Sequence, residues 1–464
     1  MKADGGKGLA QHSFKQRVIL QTGELKNMIN ELLGIQYNIE KARIDGKVQN
    51  LASYINEKTI IASHIEMDGN KAKGIDGVAK DDYSVNLEAK VEHLVKQMRN
   101  EGYKPKPIRR VYIPKDGSNK MRPLGISCYE DKLVENLISQ ILTKVYEPKF
   151  FNESFGFRPN RNCHQAVKEI IENVQYHKVS YIVEADIKGF FDNVDHDWMI
   201  KFLEHDIADK KFIGIIKKFL KAGIMKGGNL LESEQGTPQG NGASPILANI
   251  YLHYVLDYWF EVKVKRQCHG EAYLIRYCDD FVCCFQNKWE AEGFYQRLIE
   301  RFKKFGLELA LDKTKILEFG RFASQNRAKR GLTKPQTFDF LGFTFYCSLS
   351  GNKEFFRCKV KTSKKKFRSK VKAMKEWVKN NRIMPLGELF KKINQKLRGH
   401  YQYYGVTDNT RGVKSYQNVV KWLLFKWLNR RSQRRSYTLE TYYNGLLKIF
   451  PLLEPTINVS LFYR

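Results

Sequence analysis

Two adjacent carboxylates, Asp279 and Asp280, lie between two apolar runs that predict neighbouring strands, residues 272–277 and 281–285. Aromatic and β-branched residues dominate both runs, and the short polar segment between them is typical of a hairpin turn. Carboxylates that are held together repel each other, and a divalent cation relieves that repulsion. Mg²⁺ is the natural candidate because it prefers oxygen ligands and leaves positions for phosphate oxygens. On its own, the pair is equally compatible with an exposed acidic turn.

A third carboxylate, Asp186, ends another predicted strand that begins at Tyr181. One aspartate at a strand end and two at a hairpin tip are the ligands that a two-metal phosphoryl-transfer site needs. In such a site two ions, roughly 3.5–4 Å apart, bridge the attacking oxygen and the leaving phosphate oxygen. The pattern resembles the palm of a reverse transcriptase, in which Asp186 matches the first motif and Asp279 and Asp280 match the YxDD box.

Further segments resemble, in order, the sequence blocks of group II intron-encoded reverse transcriptases with maturase function, over about residues 70 to 430. The similar blocks are residues 74–78, 111–115 with 121–126, 154–161, 236–240 with 244–249, 306–309 with 313–315, and 340–343. One short motif is weak evidence, whereas their shared order is specific. The resemblance implies an α+β, right-hand polymerase fold with fingers, a palm built on an antiparallel sheet and an α-helical thumb.

Two positions depart from the usual pattern of this family. Cys278 is the second residue of the YxDD box, where Ala is more frequent, and Asn241 follows Gly240 where another Gly is usual. Because Cys278 is small, we expect it to fit the turn without changing metal binding. Asn241 leaves open whether the backbone beside the nucleotide requires a glycine.

The resemblance divides the chain into four parts. They are an N-terminal helical extension that binds RNA (1–85), the fingers and palm (86–350), the thumb or maturase X domain (351–435) and a C-terminal tail (436–464). Within them the sequence predicts a fingers hairpin tip at 115–120, an amphipathic helix over 130–146 and a helix with Ser244 as N-cap and Pro245 in its first turn. Lysines crowd residues 359–375 and are followed by interleaved aromatic residues, a combination that suits nucleic-acid binding. A solvated helix face is the alternative.

The composition favours a polyanionic partner. A net charge of +30 arises from 80 Lys and Arg against 50 Asp and Glu, and such an excess attracts nucleic acid. No run of about 18 apolar residues is present and the N-terminus has no apolar signal core; we therefore expect no membrane partner and a location in the bacterial cytoplasm or nucleoid. The eight cysteines form no CxxC pair, which predicts neither structural zinc nor an HNH-type endonuclease domain.

The resemblance also assigns roles to individual residues. The catalytic side chains would be Asp186, Asp279, Asp280 and Lys313, with the carbonyl of Ile187 adding a ligand to two Mg²⁺ ions. The incoming dNTP would contact Lys115, Arg122, Ile187, Phe191 and Gln239. Arg158 would contact the template, and Phe340, Leu341 and Gly342 would form the primer grip. Lys313 would protonate pyrophosphate and Phe191 would screen the sugar 2′ position. A plain surface lysine and a core aromatic ring are the respective alternatives.

Two hypotheses from different classes follow. The first is an RNA-directed DNA polymerase that copies group II intron RNA by target-primed reverse transcription, using dNTPs and a DNA target. The second is a maturase that binds the intron RNA so that it splices, and the family combines both. The intact aspartates favour polymerase activity, since a pure splicing factor would not need them. The alternatives are a splicing chaperone only, or an enzyme recruited to phage defence or DNA repair. Without an endonuclease, we expect the primer to come from a nascent strand or from cleavage by a host factor.

Overall fold

The computed structural model describes residues 43–114, 121–226, 229–231, 236, 240–352, 354–432 and 436–462. The predictions for residues 1–42, for the hairpin tip at 115–120 with Lys115, and for Gln239 lie outside the described residues. The described chain mixes helices with mainly antiparallel sheets, which confirms the predicted α+β fold class.

The N-terminal part combines helices with the fingers strands. Its elements are β1 (Arg43–Ile44), β2 (Lys47–Val48), a 3₁₀ turn (Leu51–Tyr54), α1 (Glu57–Glu66), α2 (Lys80–Ser84), α3 (Leu87–Arg99), β3 (Ile108–Pro114), β4 (Met121–Ile126) and α4 (Tyr129–Tyr146). The predicted amphipathic helix is confirmed as α4, whose apolar stripe from Leu133 to Val145 is buried. Strands β3 and β4 form the fingers hairpin, in which Ile113 lies opposite Arg122.

The palm follows, and its central sheet has the order β10-β5-β9-β8 with every pair antiparallel. The elements are α5 (Cys163–Tyr176), β5 (Tyr181–Ala185), α6 (His196–Asp206), α7 (Lys210–Leu220), β6 (Ile224–Lys226), β7 (Asn229–Leu231), α8 (Ser244–Leu252), β8 (Ala272–Tyr277), β9 (Asp280–Phe285), α9 (Lys288–Lys304) and β10 (Lys315–Glu318). Strands β6 and β7 extend the fingers sheet, where β6 pairs with β3 in parallel.

Helix α8 begins at the predicted place with a different cap. Ala243 is the N-cap residue and Ser244 is the first helical residue, so the predicted capping role of Ser244 is wrong by one position. Pro245 lies in the first turn as predicted. An N–H in the first turn has no acceptor within the helix, so a proline there removes no helical hydrogen bond. Beyond Leu252 the helix continues to Gln267 through two π-helical segments, His253–Asp257 and Phe260–Val264.

A third sheet connects the palm to three long thumb helices. The elements are α10 (Ala323–Lys329), β11 (Phe338–Phe340), β12 (Phe343–Leu349), β13 (Phe356–Thr362), α11 (Lys364–Asn381), α12 (Leu386–Tyr404) and α13 (Thr410–Leu428), followed by short helical segments at Thr441–Leu446 and Leu447–Ile449. The boundary predicted at residue 350 falls between β12 and β13, which pair from Phe343↔Thr362 to Leu349↔Phe356.

Two hydrophobic clusters meet at the palm sheet. Along β9, Phe281, Cys283 and Phe285 join a cluster shared with the N-terminal and palm helices, whereas Val282 and Cys284 join one shared with the thumb and the C-terminal residues. This alternation follows from the period of two in a strand. Strand β9 is therefore buried on both faces, which holds the turn before it firmly. Among the described helices, none combines the length and apolar composition of a membrane span.

Candidate active site

A cleft of about 730 Å³ opens between the fingers hairpin, the palm sheet and the start of the thumb. Most of the predicted site residues line it together: Arg122, Asp186, Asp279, Asp280, Lys313, Phe340, Leu341 and Gly342. They come from segments up to 220 residues apart, since Arg122 and Gly342 share its wall. The cleft is thus the candidate active site.

The strand register brings the two carboxylate segments together. Strands β5 and β9 are antiparallel neighbours, and Ala185 pairs with Phe281. Because the chain continues in register, Asp186 at the end of β5 lies beside Asp280 at the start of β9. Asp186 and Asp279 are half-buried, whereas Asp280 is exposed.

A short backbone bridge fixes the segment after Asp186. The carbonyl of Asp186 accepts the N–H of Ala310 at 2.8 Å, and the N–H of Lys188 donates to the carbonyl of Glu308 at 2.8 Å. Neither bond uses the carbonyl of Ile187, whose side chain is buried. The metal contact predicted for that carbonyl stays a prediction.

The hairpin of β8 and β9 has a strained tip. Tyr277 pairs with Asp280, so Cys278 and Asp279 form a two-residue turn, and Cys278 has φ +59°. A left-handed conformation costs a non-glycine residue about 1–2 kcal/mol. Neighbouring structure must therefore hold the turn in place. Cys278 itself is buried, as its small size allows.

Arg276 supplies much of that support, and sequence analysis missed it. This arginine is fully buried and donates to both carboxylate oxygens of Asp257, at 2.7 and 2.6 Å. It also donates to the carbonyl of Cys278 at 3.0 Å, to Oδ1 of Asn249 at 2.9 Å and to Oγ of Ser154 at 2.8 Å. An arginine within an apolar strand, three residues before Asp279, was the signal available in the sequence.

Gly156 packs against the other side of the turn. A Cβ atom there would overlap the backbone nitrogen of Cys278 and lie 3.0 Å from the carbonyl carbon of Tyr277. The carbonyl of Gly156 accepts a hydrogen bond from Asn249 at 2.7 Å. Asn249 therefore links Gly156 to Arg276, and the two supports of the turn form one network.

The structure corrects the role predicted for Arg158. Its side chain is buried and pairs with Glu147 at 2.9 Å, while Nη1 donates to the carbonyls of Phe151 and Ser154 at 2.5 and 2.7 Å. These bonds occupy the guanidinium inside the protein, so it is not presented to a template strand. Arg158 instead fixes the loop whose Ser154 hydroxyl contacts Arg276.

The predicted primer grip is a tight turn held by the thumb. Leu341 and Gly342 have φ values of +48° and +79° between β11 and β12. Tyr403 donates its hydroxyl to the carbonyl of Leu341 at 2.8 Å, and a Cβ on Gly342 would lie 2.9 Å from the hydroxyl of Tyr404. Helix α12 therefore sets the position of this turn, while the ring of Phe340 is buried.

The loop before α8 explains the departure at Asn241. Asn241 does not have a positive φ, so its backbone does not require glycine. Its Oδ1 accepts the N–H of Ala243 at 2.8 Å, which closes the turn into α8. Gly240 does have a positive φ of +103°, and a Cβ there would lie 2.7 Å from the carbonyl of Gly125.

A buried carboxylate from α4 holds the same loop. Glu135 accepts the N–H of Gly242 at 3.0 Å and the hydroxyl of Ser127 at 2.6 Å. Burial raises the pKa of Glu135 from 4.5 to about 7, because the charged form loses its hydration. The carboxyl thus links fingers and palm beside the predicted dNTP site.

We expect Glu135→Gln to stabilise the protein more at pH 8 than at pH 5. A carboxyl whose folded pKa is raised contributes stability below about pH 4.5, and that stability is lost as pH rises through 7. The shift corresponds to a difference on the order of 3 kcal/mol. Urea unfolding of wild type and variant at both pH values measures it. A difference in unfolding free energy that does not change with pH would contradict this account.

Both acidic and basic side chains line the cleft. Its described carboxylates are Glu184, Asp186, Asp279, Asp280, Asp312 and Asp339, and its cations are Arg122, Lys313, Lys315, Lys365 and Lys366. Lys313 forms an ion pair with Asp186, and this hydrogen bond raises the pKa of the lysine. Burial, together with the charge of Asp339, raises the pKa of Glu184 to about 7.

These donors fit Mg²⁺, which takes carboxylate oxygens. Asp186 already has a cationic partner in Lys313, and Asp186 and Asp279 line the same cleft. Within the described part of the chain, no three His, Cys, Asp or Glu side chains are gathered as a ready-made metal cluster. The carboxylates are therefore available in one place without being pre-assembled.

Phe191 lies apart from the described cleft wall. Its half-buried ring packs edge-to-face on Phe190, with ring centroids 5.2 Å apart, in a short 3₁₀ turn. Its carbonyl would be 2.9 Å from a Cβ on Gly236, so the turn lies against Gly236. The sugar-screening role of Phe191 stays a prediction.

Comparison with known proteins identifies two family matches along the chain. Residues 113–345 match the family described as reverse transcriptase (RNA-dependent DNA polymerase), and residues 364–443 match the group II intron maturase-specific domain. The group II intron-encoded protein LtrA of Lactococcus lactis subsp. cremoris is 41% identical over 196 residues, which are 42% of this chain and 32% of LtrA. The chain thus spans about a third of that relative's length.

Two further relatives show how broadly the similarity extends. Protein YkfC of Escherichia coli K12 is 30% identical over 280 residues, 53% of this chain and 73% of YkfC. The putative COX1/OXI3 intron 2 protein of Saccharomyces cerevisiae is 31% identical over 241 residues, 52% of this chain and 27% of that protein.

Proposed function

Because this chain belongs to the reverse transcriptase family, in its group II intron-encoded branch, we propose that it is an RNA-directed DNA polymerase that also binds intron RNA as a maturase. The observation that carries the proposal is the register of β5 and β9, which brings Asp186 beside Asp280 in an open cleft. The proposed substrates are an RNA template, a DNA primer at its target and dNTPs. The proposed location is the bacterial cytoplasm.

Asp186, Asp279 and Asp280, with the carbonyl of Ile187, are the proposed ligands of two Mg²⁺ ions. When bound, the ions supply Lewis-acid chemistry that activates the primer 3′-hydroxyl and offsets phosphate charge. Arg122, exposed on β4, neutralises the triphosphate by charge-assisted hydrogen bonds. Lys313 carries a proton at Nζ and donates it to the leaving pyrophosphate oxygen.

The thumb side of the cleft suits the primer strand. Helix α11 begins at Lys364, and its residues Lys365 and Lys366 line the cleft beside Gly342. Cations and a helix N-terminus both favour phosphate. The turn at Leu341 and Gly342 therefore positions the primer end, while the two lysines bind its backbone.

The maturase part of the proposal rests on the thumb. Residues 364–443 match the maturase-specific domain, and α11 carries lysines along most of its length. Such a surface binds RNA mainly through phosphate contacts, and the affinity falls with salt. Binding of group II intron RNA is thus proposed to use the thumb, together with the N-terminal extension.

Primer extension on an RNA template with Mg²⁺ and dNTPs tests the polymerase. The same primer on a DNA template of equal sequence is the comparison. We expect full-length cDNA on RNA. No product from folded protein that still binds RNA tightly would overturn the polymerase and leave a splicing chaperone that retains its palm as a scaffold.

We expect Phe191→Ala to admit ribonucleotides. Removal of the ring opens the space for a 2′-hydroxyl, and the preference for dNTPs over rNTPs should fall about 10- to 100-fold, or roughly 1–3 kcal/mol. Single-nucleotide incorporation with dNTPs and rNTPs measures the ratio. Phe190→Leu, a change in the adjacent buried ring, is the control. If Phe191 is only a core residue, both nucleotides will be used less well and their ratio will not change.

A further inference from the structure

A second concave surface, which we call the α7 groove, lies apart from the catalytic cleft. It has a volume of about 540 Å³ and lies between α7, the segment at residues 52–56 and the chain at residues 98–103. None of its described lining residues lines the cleft. Ligand-binding pockets have volumes of roughly 300–1,000 Å³, so the groove is large enough for one nucleotide.

The mouth of the α7 groove is basic. Arg99, Lys210 and Lys211 are exposed there, and among the described residues none of them has a carboxylate within ion-pair distance. Lys218 donates to the carbonyl of Glu101 at 2.6 Å, so its charge is held at the same wall. Glu101 is the one acidic residue of the described lining. The excess of positive charge favours an anionic ligand.

The walls of the α7 groove are fixed before any ligand binds. Asp209 caps α7 by accepting the N–H of Phe212 at 3.0 Å. Its second oxygen accepts the N–H of Ala52 at 2.8 Å, which ties the helix to the opposite wall. Both oxygens of Asp209 therefore accept backbone N–H groups that fix the walls of the groove.

Gly214 leaves space in the middle of the groove. It lies inside the 11-residue helix α7, where glycine costs about 1 kcal/mol relative to alanine. A Cβ at this position would meet no atom within 4 Å, so packing does not explain the glycine. The absence of a side chain keeps the groove open beside an apolar wall of Ile55, Met98 and Ile215.

We propose that the α7 groove binds one unpaired nucleotide of a folded RNA. The base lies against the apolar wall in the space left by Gly214, and the flanking phosphates contact Arg99, Lys210 and Lys211. Proteins recognise folded RNA largely at bulges and loops, where bases are unstacked. The choice of RNA over DNA rests on the proposed maturase function. The charge and shape of the groove are observed independently of that function.

Gly214→Phe tests the space without changing any charge. Gly293→Phe is the matched control, because Gly293 also lies inside a helix, α9, at an exposed position with nothing within 4 Å of its Cβ position. The probes are an RNA hairpin with a one-nucleotide bulge, the same hairpin fully paired, and the bulged hairpin as DNA. We expect Gly214→Phe to weaken binding of the bulged RNA about 10-fold, with the paired RNA and the control variant unaffected.

A second pair of variants tests the charges. Lys210→Glu with Lys211→Glu should weaken the dependence of bulged-RNA affinity on salt concentration. The slope of log affinity against log salt concentration should fall by the amount that about 1 to 2 phosphate contacts contribute. Lys303→Glu with Lys304→Glu, two exposed neighbours on α9, is the control and should leave it unchanged. Thermal unfolding of all variants checks that they fold.

Each outcome bears on the proposal. Equal binding of the bulged RNA by wild type and folded Gly214→Phe overturns it, and an equal loss for the paired RNA overturns the assignment to an unpaired nucleotide. If Gly214→Phe weakens binding of the bulged DNA as much as binding of the bulged RNA, the choice of RNA is overturned. Primer extension on an unstructured template should be normal in Gly214→Phe, so a failed polymerase and a failed groove are distinguishable.

Discussion

Replacing Asp279 by Ala is expected to abolish cDNA synthesis, lowering the rate of primer extension by about 1,000-fold or more. The carboxylate lies at the tip of the β8–β9 turn, where it faces the same cleft as Asp186. Asp279 is a proposed ligand of catalytic Mg²⁺, and loss of such a ligand removes several kcal/mol of transition-state stabilisation. Single-turnover extension with saturating dNTP measures the chemical step directly.

Asp312→Ala is the matched control for Asp279→Ala. Asp312 is exposed and lines the same cleft, so its removal changes the local charge equally. It lies outside the strand ends that present Asp186 and Asp279. We expect its extension rate to stay within a few-fold of wild type, and RNA affinity to be unchanged in both variants. Equal losses in the two variants would mean that the cleft acts through its general charge and not through defined metal ligands.

The positions of the carboxylates could be predicted because each marks the end of an apolar run. Strands β5, β8 and β9 have sequences rich in aromatic and β-branched residues, and their bounds lie within one residue of the prediction. Their register could not be predicted from composition. It follows from the pairing of Ala185 with Phe281, which depends on the packing of both sheet faces.

Arginine roles were the least predictable part of the site. The sequence shows that a residue is cationic, but not whether neighbouring carbonyls and carboxylates surround it. Arg158 was assigned to the template, yet it is buried against Glu147. Arg276 was given no role, yet it is the largest fully buried side chain of the described core. The partners of Arg158 are near it along the chain, at Glu147, Phe151 and Ser154, whereas Arg276 also reaches Ser154, 122 residues away. In both cases the folded backbone decides which groups surround the guanidinium, and composition alone does not show this.

The boundary between palm and thumb at residue 350 stays a prediction. It rests on the family resemblance, which orders the segments along the chain but does not show how neighbouring segments pair. The structure has a hairpin at this place, with β12 and β13 paired on either side.

The second large effect is expected for Arg276→Met. Removing this guanidinium leaves Asp257 buried without a partner, which should lower the free energy of unfolding by about 3–5 kcal/mol. It also removes the hydrogen bond to the carbonyl of Cys278, which holds a turn in a conformation that costs about 1–2 kcal/mol. Loss of stability and loss of turn geometry should therefore both occur, and urea unfolding with primer extension measures them separately.

A double variant separates the two effects. Replacing a buried ion pair by apolar residues of similar volume is often neutral for stability, so Arg276→Met with Asp257→Leu should unfold near the wild-type denaturant concentration. The turn still lacks its hydrogen bond from Arg276. Primer extension should therefore stay about 10- to 100-fold below wild type, as for other groups that orient metal ligands. Recovery of activity together with stability would contradict a positioning role.

Arg301→Met provides the comparison for the loss of a partly buried arginine. Arg301 is half-buried and donates to the carbonyls of Val255 and Tyr254, both at 3.0 Å, on the same helix that carries Asp257. No hydrogen bond of the described structure links it to the turn between β8 and β9. Its replacement should lower stability without lowering the extension rate of the folded fraction. The contrast with Arg276 would then identify the contact with Cys278, and not arginine burial in general, as the feature that presents Asp279 to the cleft.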